Sequence, residues 1–144
     1  MDPHVLATLL ESVTDFAKLM VAKAGEFYAF GGYVDADGRV NHLAVHDGQE
    51  HPDRHDVYRR MEEALRKLVL NGEASAIALV GDVNIPPAYQ PPFPDGIRVH
   101  LEAPGFSRFF YLPYSRHQAS AEPEFGDFIT VDVPPTFFAP RADA

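Results

Sequence analysis

Glu26-Phe27-Tyr28-Ala29-Phe30-Gly31-Gly32-Tyr33-Val34, residues 26–34, is the stretch that decides the fold. It holds four aromatics in nine residues and shows no apolar/polar alternation from Phe27 to Phe30, which predicts a strand meeting dry surface on both faces. A sheet covered on both sides follows. Gly31 and Gly32 break the rows of side chains, as a bulge, a close backbone approach or a helix lying tight on the sheet requires. Local relief for Tyr28 and Tyr33 is the plainer explanation.

Upstream, Asp2-Pro3 opens a helix with an acid at the cap and proline at the first position. Apolar residues at threes and fours from Val5 to Val21 carry it to Gly25. Glu11 and Asp15 lie on its polar face and read as surface, because a catalytic carboxylate pair needs burial. Downstream, residues 35–39 turn the chain into a hairpin whose second strand runs from Val40 to His46. A second helix is predicted from Pro52 or Asp53 to Asn71-Gly72, and Ala74 to Val83 reads as a strand with apolar residues on both faces. Residues 84–94 hold five prolines and form a surface loop. Gly96 to Glu102 alternates, with Ile97, Val99 and Leu101 inward and Arg98, His100 and Glu102 outward, and Phe106 to Tyr114 returns antiparallel to it. Pro113 marks the end of that strand or an edge. A last short strand fits residues 125–133, and residues 134–144 form an extended tail docked by Phe137 and Phe138.

Length and composition bound what such a chain does. At 144 residues, 46% apolar and 23% charged, it makes one globular domain, 1–144, with a core of its own. Its net charge of -9, from 21 acidic and 12 basic residues, argues against a nucleic-acid backbone or an anionic membrane as partner. The absence of cysteine excludes disulfides, thiolate metal sites and cysteine nucleophiles. No leader pattern opens the sequence and no apolar run nears the roughly 20 residues that span a bilayer, so a cytoplasmic location is expected.

Three groups of residues could carry chemistry. His42, His46, His51 and His55 cluster among carboxylates. His42 and His46 would share a strand face about 13 Å apart, too far for one ion, which leaves His46, His51 and His55 with Asp53 as a set for a divalent metal and hydrolytic chemistry. Scattered surface histidines are the bland alternative. Arg98, His100, Arg108 and Tyr111, on the last hairpin, would suit a small carboxylate or phosphate. Tyr89 and Phe93, in the proline loop, would form a protein-contact patch if they turn outward. Motifs for a serine nucleophile elbow, a phosphate-binding loop and a dinucleotide fold are absent.

The order helix, two strands, helix, three strands resembles profilin-like and roadblock-like domains over nearly the whole chain. That resemblance implies an α+β fold with a mostly antiparallel five-stranded sheet between helices. The phrases DADGRV (35–40) and IRVHLE (97–102) with FYLPY (110–114) are similar to small uncharacterised bacterial α+β proteins, a likeness that implies no activity. The leading expectation is a non-enzymatic binding or regulatory module without a cofactor, whose acidic surface meets another protein, as an immunity-type protein does, and which is free to form a homodimer. A histidine metal site and a sensor of small anions are the alternatives.

Overall fold

Asp2 opens α1 (Pro3–Ala24) as its sequence predicts, its carboxylate accepting from His4 N at 2.8 Å, and Gly25 closes it at φ 82°. The computed structural model describes residues 2–44, 52–115 and 122–138. Among them no helix is long and apolar enough to cross a membrane. Asp53 caps α2 (Arg54–Leu70) in the same manner, accepting from His55 N and Asp56 N. Between the helices lie β1 (Phe30–Val34) and β2 (Val40–Leu43). Their hairpin turn is tied by the Asp35 carboxylate, which accepts from Asp37 N, Arg39 N and Asn41 Nδ2 at 2.9 to 3.0 Å.

After α2 come β3 (Ala76–Asn84), β4 (Asp95–Ala103), β5 (Phe106–Ser115), β6 (Glu124–Phe125) and β7 (Ile129–Asp132). All described pairings are antiparallel, in the order β2-β1-β3-β4-β5-β6, with β7 also on β5. Among the described residues the sheet therefore has seven strands where five were expected. The five came from the resemblance; six segments were read as strands, and the seventh arises because the outer one, read as a single strand over 125–133, is two. It pairs with β5 as Tyr114↔Phe125 and then as Phe110↔Thr130, a register shift of one residue that splits it around residues 126–128. Pro113 sits at that handover, so its missing N–H falls between the two partners of β5 and the strand runs on to Ser115.

One helix covers each face. Leu9, Val13, Ala17 and Val21 of α1 pack on Ala76, Ala78, Val80, Ile97 and Val99. On the other side Met61 and Leu65 of α2 pack on Ile77 and Leu79. Gly31 and Gly32 lie between the two layers: a Cβ on Gly31 would stand 2.9 Å from Met61 Sδ, and one on Gly32 2.6 Å from Val13 Cγ1. The glycine pair lets both helices rest on the backbone of β1, the tight packing that the sequence offered as one of its readings.

β1 starts at Phe30, four residues later than the sequence suggested. Phe27 and Phe30 both enter the core under α1, with ring centroids 5.8 Å apart. They are three residues apart, and a strand with a period of two would send them to opposite faces. The chain leaves strand geometry between them. The proline-rich segment is less extended than expected, since Pro87–Tyr89 makes one 3₁₀ turn, and Ile85 N bonds Pro94 O at 2.7 Å to close the loop at its base.

Candidate anion-binding cleft

The early departure of the chain from β1 opens a gap in the sheet. The β1–β3 ladder ends at Phe30↔Val80, yet β3 continues to Asn84, held on its other side by β4 as far as Asn84↔Asp95. Residues 27–29 form one wall of the resulting cleft, of about 360 Å³, and Gly81, Asp82 and Val83 form the other. Arg54, His55 and Tyr58 of α2 and Arg98 of β4 complete it.

Arg98 is the unusual group. Its guanidinium carbon lies 4.6 Å from the ring centre of Phe109 and 5.6 Å from that of Tyr58, so the cation is held by aromatic faces. One terminal nitrogen donates to Tyr58 Oη at 2.7 Å, while Nε is buried without a hydrogen-bond partner. Among the described residues Arg98 pairs with no carboxylate. Burial raises the Tyr58 pKa against the opposing pull of Arg98, which keeps the phenol protonated. Its oxygen accepts from Arg98, and its own O–H is left to donate.

Asp82 marks the other end of the cleft. Tyr114 Oη donates to Oδ1 at 2.7 Å, and Phe27 N reaches Oδ2 at 3.4 Å. Burial dominates these bonds and raises the Asp82 pKa; the Tyr114 phenol is raised too, by burial and then by its bond to Asp82. Arg54 stands between the two ends, paired with Glu26 at 2.8 Å and lying over the Tyr28 ring.

The residues singled out in the sequence are dispersed by the fold. Arg98, His100 and Tyr111 share the face of the sheet under α2, but Arg108 falls on the opposite face and pairs with Asp132 at 2.8 Å. The face expected to be open holds a buried His100 and a fully buried Glu102. The tail covers it: the Glu102 carboxylate accepts from Thr136 N and Phe137 N at 2.7 Å and from Phe138 N at 2.5 Å. His100 Nε2 lies 3.1 Å from both Glu102 Oε1 and Ser107 Oγ. Burial pushes the Glu102 pKa up, but the bonds from His100 and from those three backbone N–H groups outweigh it and leave the pKa lowered.

Of the metal set, His46 and His51 lie outside the described residues. Asp53 is engaged as a helix cap, and His55 lines the cleft. Among the described residues no group of three or more ligating side chains could hold a metal. Tyr89 is 40% exposed, with its ring 5.8 Å from that of Tyr111, while Phe93 is partly buried. Sequence reasoning passed over Tyr58, Asp82 and Glu102. Asp82 did leave a trace, as a carboxylate at the end of an apolar run that reads as buried on both faces. Compared with known proteins, the chain matches no family model, and neither a curated protein nor a solved structure gives a significant match.

Proposed function

We propose that the protein is a binding module for an anionic ligand, a carboxylate or phosphate on an apolar body, taken into the cleft beside Arg98. The observation that carries this reading is the partly buried guanidinium that has aromatic neighbours, an unsatisfied Nε and, among the described residues, no acid partner. A charge withdrawn from water without a counterion is costly, and the chain has 21 acidic residues from which one could have been placed there. A ligand anion would supply the missing charge, with the Tyr58 hydroxyl as second donor and the Tyr28 and Tyr58 rings against its apolar part.

Titration of ¹⁵N-labelled protein with benzoate and with inorganic phosphate tests this. Saturable shifts at Arg98, Tyr58 and Gly81, lost in Arg98→Met, are expected; shifts that persist in Arg98→Met would refute it.

A second reading, a protein partner at the proline loop, draws on the exposure of Tyr89. Tyr89 contacts Tyr111, Tyr111 contacts Phe109, and Phe109 stacks on Arg98, so loop and cleft share one aromatic row. Unchanged partner affinity in a Tyr89→Ala, Phe93→Ala double variant would count against it.

A further inference from the structure

Resting on the anion reading, we infer that the natural ligand is the carboxyl terminus of an extended peptide, which enters the split between residues 27–29 and β3 as an added strand and sets its terminal carboxylate on Arg98. The first observation is the backbone of the split. Continuing the β1–β3 register past Phe30↔Val80 would bring Ala29 opposite Gly81 and Tyr28 opposite Asp82, yet no backbone hydrogen bond joins 26–29 to 81–84 among the described residues. Only Phe27 N crosses, at 3.4 Å, and to a side chain. In an antiparallel sheet every second residue turns both its N–H and its C=O toward one neighbour. Along Gly81–Asn84 the odd residues bond β4, as the pair Ile85 N to Pro94 O in the same register shows, so partly buried Asp82 and exposed Asn84 direct both groups into the split. A partly buried backbone group gains from a partner there.

Charge and shape narrow the ligand further. A bare anion would answer Arg98 and leave the strand edge unpaired, whereas a peptide main chain answers both, because it carries donors and acceptors at the spacing of a strand. The cleft accepts a terminal carboxylate with Arg98, Arg54 and His55 on its α2 and β4 side. Phe27, Tyr28, Tyr58 and Val83 offer apolar surface for the last side chain. Gly81 keeps the passage beneath Tyr58 open: a Cβ there would stand 3.6 Å from Val83 Cγ1 and 3.7 Å from Tyr58 Cε2, ordinary contacts that the fold tolerates and an entering chain would meet.

The test compares acetyl-Ala-Ala-Phe as free acid, its C-terminal amide and benzoate, by calorimetry and by amide hydrogen exchange on the intact protein. The free acid is expected to bind about tenfold or more tightly than either of the others, a difference of about 1.4 kcal/mol, and to slow exchange at alternate amides of Gly81–Asn84. Gly81→Ala should weaken the free acid several-fold more than it weakens benzoate. Arg98→Met should abolish both. Equal binding of acid and amide, or benzoate binding as tightly as the peptide without protection of the strand amides, overturns the peptide inference and leaves the anion reading in place. Absence of any Arg98-dependent binding overturns both.

Discussion

Glu102 and Asp82 are carboxylates at opposite ends of the same sheet, and the fold treats them oppositely. Glu102, fully buried, collects three consecutive backbone N–H groups and lies against His100 and Ser107, and its pKa falls. Asp82, only partly withdrawn from water, has the Tyr114 hydroxyl and one long bond from Phe27 N, and its pKa rises. Depth of burial alone would give the opposite order of pKa shifts; the number of donors aimed at each carboxylate sets the one seen. The end with Glu102 is closed by the chain's own tail. At the end with Asp82, where β1 departs from β3, no backbone bond joins 26–29 to 81–84 and Arg98 pairs with no carboxylate among the described residues, and there we place the ligand.

The largest expected effect comes from spoiling the closed end. Glu102→Gln replaces one acceptor oxygen by a donor that faces the backbone N–H groups of the tail, and should cost about 2–4 kcal/mol in urea unfolding at neutral pH. Amides of residues 136–138 should then exchange faster while those of α1 stay protected. A loss below about 0.5 kcal/mol would mean that the clamp does not hold the tail.

At the open end the sign reverses. Arg98→Met keeps an unbranched apolar stem and removes the charge that lies over Phe109 without a carboxylate partner among the described residues, so ligand-free protein should be unchanged or more stable by up to about 2 kcal/mol. Thermal unfolding in ligand-free buffer would show it. A clear loss of stability would make Arg98 a structural residue.

The two carboxylates should also divide by pH. Because the folded pKa of Glu102 lies below its ordinary 4.5, its contribution is present above that value and is lost as pH falls through the folded pKa. The stability gap between wild type and Glu102→Gln should therefore narrow below about pH 4.5. Asp82 runs the other way: its folded pKa lies above the ordinary 3.8, and the stability tied to its protonated form is lost as pH rises through the folded value. Asp82→Asn should give the smallest change, a gain below about 1 kcal/mol at pH 7 that disappears toward pH 3.8. A destabilised Asp82→Asn at pH 7 would mean that the charge itself is needed at the open end.

The scaffold was readable because its determinants are local. The Asp2 cap, apolar stripes on both helices and the Asp35–Arg39 turn each declare themselves within a few residues, whereas the glycine pair at 31–32 read more plainly as relief for Tyr28 and Tyr33 than as the seat of both helices. The ends of the sheet were not readable, because each depends on a partner distant in sequence. Alternation placed Arg98, His100 and Glu102 on one face correctly but could not say that residues 134–138 cover it 35 positions later, as the bond from Phe137 N to Glu102 does. Phe27 read as part of a strand, since the competing pull of the core under α1 is invisible locally. Within the candidate site, Arg98 and His55 were named from residue type, whereas Tyr58 and Asp82 became meaningful only once β1 was seen to leave β3.

Amide hydrogen exchange on the unliganded wild-type protein tests the contrast between the two ends most directly. The expected result is slow exchange at residues 136–138 and fast exchange at Tyr28, Ala29 and the alternate amides of Gly81–Asn84 that face away from β4. Protection at residues 28–29 and 81–84 equal to that of the Phe30–Val34 ladder would mean that β1 and β3 are joined along their full length, leaving no cleft for a ligand to enter.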